Sequence, residues 1–336
     1  MPREPQVAII MPLYNKRAWI ARALHSVINQ TWTDWALVVV DDGSTDGSAD
    51  VVAALRHPQI RLIRQANAGP GAARNTAIAA SRSEWLAFLD ADDEWLPDYL
   101  DTAMRNLAAH PGINAHLSGY LMCPDGRTRT PFLPHETPKP GIWQWPSPLD
   151  EATLAAAYLW WHSDIVVVRR SVVEAVGGFY AAPGCTFGED SYLWLQVALS
   201  NSVFREPGLL CNYSTDASEL GVGRRTAKPP EPILFHHEKL FSLCPAAMKP
   251  VVASFLESLA YRAAWRQAAF GEPRDAREII RQYPGLRQRG FKTVQLYWQI
   301  WTNPARRWLR RTGWRPRSRW QRIMRGVPPT AGSTAK

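Results

Sequence analysis

Long apolar runs are missing from this chain. No stretch approaches the ~20 consecutive apolar residues that a membrane-spanning helix needs. The nearest, Leu154 to Trp161, is far too short and ends at His162. The opening residues, Met1-Pro2-Arg3-Glu4-Pro5-Gln6, lack the apolar core of a secretory signal. Cysteine is scarce: Cys123, Cys185, Cys211 and Cys244 lie far apart with no paired spacing. That excludes a disulfide framework or a zinc module and reads as reduced cytosolic thiols filling a core. No glycine-rich phosphate loop follows the first strand, which argues against a nucleotidyltransferase. Acidic residues stop at Glu278, after which Ile279 to Lys336 hold 14 Lys and Arg and no Asp or Glu.

What is present is an ordinary soluble composition, 46% hydrophobic and 21% charged over 336 residues, enough for one large domain and a smaller one. The net charge of +9 sits in the tail, and such asymmetry gives the tail an anionic partner. From Val294 to Gly326, Trp298, Trp301, Trp308, Trp314 and Trp320 alternate with nine Arg. Trp with Arg suits an anionic membrane surface, where indoles sit at headgroup depth and guanidinium groups meet lipid phosphates. The competing reading is a solvated basic face whose Trp side chains pack on the protein. Nucleic acid is disfavoured, because no recognised binding module accompanies the charge.

Along the chain, near-continuous apolar strands alternate with amphipathic helices. Val7-Ala8-Ile9-Ile10-Met11 predicts a first strand stopped by Pro12, and Ile20, Leu24, Val27 and Ile28 place a helix between Lys16 and Gln30. Leu37 to Val40, Ile60 to Ile63 and Trp85 to Leu89 predict further strands. Helices are expected over Ala49–Leu55, from Gly69 to about Ser81, and over Tyr99–Ala109. This alternation predicts an α/β fold with a mostly parallel sheet and helices on both faces, in which ligands bind outside the carboxyl ends of the strands. Tyr14, Asp41, Asp42, Asp90 and Asp92 all fall at or just past such ends. The segment from Pro131 to Pro148 is rich in proline and suits a lid or surface packing, with packing preferred. A strand over Ile165–Val168 and helices to Val176 and over Leu193–Leu199 follow. Helices at 232–243, 246–270 and 273–282 complete a C-terminal helical region.

The chemistry concentrates at Phe88-Leu89-Asp90-Ala91-Asp92-Asp93. Carboxylates crowded at the end of a buried strand repel one another unless a cation sits among them. Mg²⁺ or Mn²⁺ suits such oxygen donors, together with substrate phosphates. The alternative is a helix cap by Asp92 or Asp93 at Glu94-Trp95-Leu96-Pro97. Gly188-Glu189-Asp190, ahead of an apolar helix, reads as a cap and dipole match or as a general base.

Taken in order, Pro12-Leu13-Tyr14-Asn15, Asp41-Asp42-Gly43-Ser44-Thr45-Asp46, Asn67-Ala68-Gly69-Pro70-Gly71-Ala72-Ala73-Arg74-Asn75, Asp90-Ala91-Asp92-Asp93, Gly177-Gly178-Phe179 and Gly188-Glu189-Asp190 resemble the family 2 glycosyltransferases. These are inverting enzymes of the GT-A, Rossmann-like fold, and the resemblance covers roughly residues 5 to 215. It implies that Pro12, Tyr14, Asp41 and Asp42 line the nucleotide base pocket, and that Asn67 and Arg74 lie near the nucleotide and diphosphate. It further implies that Asp90 approaches the ribose and the metal, that Asp92 ligates Mg²⁺ or Mn²⁺, and that Asp190 is the catalytic base with Glu189 beside it. Gly177 to Phe179 would border the acceptor, and Arg224 or Arg225 would reach the diphosphate.

The expectation is therefore a metal-dependent, inverting glycosyltransferase of polysaccharide biosynthesis. It would take a nucleotide-sugar donor and a glycan or lipid-linked acceptor, and it would be cytoplasmic and peripheral on the cytoplasmic face of the membrane. The alternative is a non-catalytic, membrane-associated nucleotide-sugar or glycan-binding protein of the same fold. The expected layout is a catalytic domain over 1–225, a helical bundle over 226–300, a basic Trp/Arg amphipathic segment over 301–326 and a disordered tail over 327–336.

Overall fold

The computed structural model describes residues 4–133, 135–217, 228–270, 272–288, 295–297 and 300. Arg224, Arg225, the segment 301–326 and the tail 327–336 lie outside the described residues. The chain divides into two units, Met1–Tyr261 and Arg262–Lys336.

The first unit opens with β1 (Val7–Leu13), α1 (Ile20–Ile28), β2 (Trp35–Asp41), α2 (Ser48–Leu55), β3 (Ile60–Arg64), α3 (Pro70–Ala79) and β4 (Trp85–Phe88). Strands β3, β2, β1 and β4 lie side by side in that order, and each neighbouring pair is parallel. The apolar runs fill both faces of this half-sheet: Ile9, Ile10, Leu37, Val39, Leu86 and Phe88 are all fully buried. That is why no alternation of polar and apolar residues shows in them.

Pro12 does not stop β1, which runs on to Leu13 in register with Asp41. The reason is local. Ile10 accepts the Leu89 N–H, so Ile10, and Pro12 two residues on, face β4. The β1–β4 pairing ends at Ile10 opposite Phe88, so the N–H that proline lacks falls past the ladder and costs no bond.

Beyond β4 the sheet becomes mixed. The next elements are β5 (Glu94–Trp95), α4 (Tyr99–Ala109), β6 (Ala115–Cys123), β7 (Arg127–Arg129), β8 (Gly141–Trp143), α5 (Glu151–Trp160), β9 (Val166–Arg169), α6 (Arg170–Ala175), α7 (Glu189–Ser200) and β10 (Val203–Ser214). Strand β9 pairs antiparallel with both β4 and β6, and β10 runs parallel to β6. Because β9 is reversed, its beginning lies beside the end of β4, which shapes the site below. Phe88, Phe179 and Trp194 pack edge to face there, with ring centroids 5.2–5.8 Å apart.

The proline-rich segment packs against the sheet. The Arg205 guanidinium lies 4.5 Å from the Phe132 ring centroid and 5.4 Å from those of Trp143 and Trp160. It donates to Pro131 O at 3.1 Å and to Glu136 Oε2 at 2.8 Å. Trp143 is buried, and the Trp145 indole N–H donates to Ala198 O.

Helices α8 (Glu238–Leu243), α9 (Lys249–Phe270) and α10 (Pro273–Gln282) follow. In α10, Ala276, Ile279 and Ile280 are buried, while Arg274, Arg277 and Arg281 are exposed. No described helix is long and apolar enough to cross a membrane.

Candidate active site

Because β2, β1 and β4 are adjacent and parallel, their carboxyl ends bring Asp41, Tyr14 and the Asp90–Asp93 turn to one edge of the sheet. Tyr14 is exposed there. Asn15, at a left-handed φ of 51°, locks the neighbouring loop: its Oδ1 accepts the Thr45 N–H, and its own N–H donates to Ser44 Oγ.

The two acids ending β2 do different work. Asp42 accepts from Gln65 Nε2 and Ala68 N with Oδ1 and from Gly69 N with Oδ2, at 2.8–2.9 Å. It thereby fixes the loop carrying Asn67, which is exposed beside Gly43. The Asp41 carboxylate accepts only the Ser44 N–H among the described residues, at 3.0 Å, which leaves it acceptor capacity.

Helix α3 enters the site through a glycine. A Cβ on Gly71 would stand 2.2 Å from Tyr180 O, so only glycine lets the helix reach the segment before α7. Arg74, one turn further on and only 4% exposed, then joins two carboxylates. Its Nη2 donates to Asp90 Oδ1 and its Nη1 to Glu189 Oε1, each at 2.7 Å. Burial works against the Arg74 charge, yet Asp90, Glu189 and Asp190 together hold its pKa above the ordinary value. Burial and the Asp190 charge push Glu189 up to about 7, against the pull of Arg74. Burial also lifts Asp90 to about 6, with Arg74 opposing and Asp164 and Asp92 adding to the rise.

Gly177 and Gly178 both take left-handed φ and cap α6, where Gly178 N donates to Val173 O. Asn75 clasps the next residue, donating to Phe179 O and accepting from Phe179 N. Glu189 and Asp190 occupy the first turn of α7. Asp190 is part-exposed and accepts its neighbour's Ser191 N–H at 2.7 Å.

The structure adds residues that the sequence reading missed. Asp164 immediately precedes β9, is fully buried, accepts the Asp90 N–H at 2.5 Å and pairs with His162 Nδ1 at 2.8 Å. One oxygen each of Asp90, Asp93 and Asp164 lies within 4.8 Å of the others. Burial and Asp164 raise the Asp93 carboxyl well above the carboxylate range, and its Oδ1 accepts the Ser214 N–H. Burial opposes the His162 charge, but Asp164 outweighs it and raises the imidazole to about 9. His162 and its hydrogen bonds in turn hold Asp164 below its ordinary value despite burial.

Asp92 stands outside that group. Its Oδ2 meets Lys16 Nζ at 2.6 Å. Among the described residues, no hydrogen bond reaches Asp92 Oδ1 or Asp90 Oδ2. Carboxylate oxygens left free at a strand end are the donor type that a hard divalent ion takes together with phosphate oxygens.

Residues 8–149 match the model of Glycosyl transferase family 2. The chain is 32% identical over 133 residues to the putative teichuronic acid biosynthesis glycosyltransferase TuaG of Bacillus subtilis (strain 168), covering 39% of this chain and 53% of that one. Across the first curated relatives the chain matches 29–53% of their length. Its fold is that of S. aureus TarS 1-349 in complex with UDP, at a TM-score of 0.55 and 18% identity over 88% of this chain and 90% of that one. It is also that of the mannosyltransferase PcManGT from Pyrobaculum calidifontis in complex with GDP-Man and Mn²⁺, at 0.52 and 21% over 89% and 86%. The motif series, the strand-end acids and these similarities agree: residues 8–149 are similar to the family 2 glycosyltransferases, and the fold is the GT-A fold of the solved glycosyltransferases.

Proposed function

We propose that the protein is a metal-dependent, inverting glycosyltransferase that moves a sugar from a nucleotide-sugar donor to a glycan or lipid-linked acceptor. The observation that carries this reading is the Arg74 bridge. One buried guanidinium holds both Asp90, on the donor side, and Glu189, next to Asp190. Donor and acceptor chemistry are thereby set at a fixed separation, as direct displacement requires.

Within this reading Pro12, Tyr14 and Asp41 line the base pocket. Asp42 shapes the loop bearing Asn67, and Asp90 and Asp92 would hold Mg²⁺ or Mn²⁺. Such an ion, when bound, neutralises charge building on the leaving diphosphate. Asp190 takes the acceptor's hydroxyl proton as the oxygen attacks the anomeric carbon from the face opposite the leaving group. Glu189, spent on Arg74, holds the turn rather than the proton. The solved relatives crystallised with UDP and with GDP-Man and Mn²⁺ support this donor class, and TuaG's name supports a polysaccharide acceptor.

A thermal-shift screen of nucleotide sugars with Mn²⁺ tests the reading. One or more donors should raise Tm, and only with metal present. No shift with any donor would defeat it.

The membrane partner belongs to the same proposal. Arg274, Arg277 and Arg281 share the exposed face of α10, and the basic Trp-rich sequence follows. Each basic residue near an anionic surface contributes ~1 kcal/mol of attraction. Deleting residues 294–336 should therefore lower binding to phosphatidylserine-containing liposomes at least tenfold while sparing donor binding. Equal liposome binding by the truncated protein would remove the membrane assignment.

A further inference from the structure

We propose that Lys16 is a built-in counter-ion for Asp92, competing with the divalent cation so that metal enters only when the ammonium leaves. The inference rests on the metal-dependent reading above.

The loop after β1 holds Lys16 in place. Its N–H donates to Ser48 Oγ at 2.9 Å, and its carbonyl accepts from Trp19 N and Ile20 N at the entrance to α1. From that anchor the side chain reaches across to Asp92 Oδ2 at 2.6 Å and to Ala217 O at 2.8 Å, next to the end of β10. The two side chains are only 20% and 11% exposed, so water screens the pair less than it would a surface salt bridge.

A divalent ion binds carboxylate oxygen at roughly 2.0–2.2 Å. An ion on the free oxygen of Asp92, with the ammonium still on Oδ2, would share one carboxylate with a second cation in a site of reduced dielectric, where like charges repel. Arg74 offers no relief, because Asp90 and Glu189 already hold its two terminal nitrogens. The bond to Ala217 O gives the displaced ammonium a second partner, so it stays beside the site. The device keeps Asp92 neutralised before loading, and it makes metal binding weak until donor phosphates add negative charge. Metal and donor then enter with positive coupling.

The test is a Mn²⁺ titration of the full chain without nucleotide, reading free ion by electron paramagnetic resonance. Wild type, Lys16→Met, Lys16→Gln and Asp92→Asn are compared, with thermal melts confirming that each is folded. Both Lys16 variants should bind Mn²⁺ about five- to tenfold more tightly than wild type, a modest change on the affinity scale, and Asp92→Asn should lose the site. Equal or weaker binding in the Lys16 variants, with Asp92→Asn still abolishing it, overturns the competition and leaves the metal reading standing. Absence of saturable Mn²⁺ binding in wild type and in both Lys16 variants overturns the two together.

Discussion

Asp190→Asn should lower the turnover of sugar transfer by ~10²–10⁴-fold, the range that a positioned general base contributes, with Tm and donor affinity close to wild type. The selectivity of that loss follows from the geometry. Asp190 makes its recorded hydrogen bonds within its own helical turn, to Ser191 N at 2.7 Å and Ser191 Oγ at 3.3 Å. An Asn oxygen can accept both, so the fold keeps what it had. What disappears is the capacity to take a proton from the acceptor. Glu189 cannot substitute, because it is buried and held by Arg74. Initial rates and thermal melts on the two proteins separate the terms. A drop in kcat of less than tenfold, or a loss explained by unfolding, would exclude Asp190 as the base.

The strands and the donor-side acids were legible because both follow from one rule. Val7–Met11, Leu37–Val40 and Trp85–Leu89 are covered on both faces, so they read as unbroken apolar runs, and ligands gather where such strands end. The same rule hid Asp164 and His162. It looks past the carboxyl ends of parallel strands, whereas β9 runs antiparallel to β4, and its start therefore reaches the same place. An Asp directly ahead of Ile165-Val166-Val167-Val168 was the available signal.

Two long strands were missed for different physical reasons. In β6 the buried His116 and Ser118 interrupt the apolar pattern. In β10 the register shifts between Arg205 and Cys211, where Pro207 and Gly208 break a regular ladder. Lys16 was invisible because its partners, Asp92 and Ala217, are brought to it only by the fold.

Arg74→Met should be the most destabilising change in the site, costing ~3–5 kcal/mol, the usual loss when one partner of a buried ion pair is removed. For a domain of this size that lowers Tm by roughly 6–20 °C. Methionine retains much of the stem's packing, so the loss is chiefly electrostatic: Glu189 and Asp90 lose the guanidinium that joins them. The dependence on pH identifies the cause. Glu189 at about 7 and Asp90 at about 6 both lie above their ordinary values of 4.5 and 3.8. Over those windows the folded protein keeps protons that the unfolded chain has released, so the two groups favour the fold at low pH and this contribution fades as pH rises. Removing Arg74 takes away the charge that pulls both pKa values down, which extends the loss to higher pH. At pH 5 both carboxyls are largely protonated when folded, and Arg74 has little negative charge left to compensate. The gap in stability between Arg74→Met and wild type should therefore be widest near pH 8 and narrow steadily toward pH 5. Urea unfolding at both pH values measures it. A gap of the same size at pH 5 and pH 8 would show that Arg74 acts by filling space rather than by joining the two carboxylates.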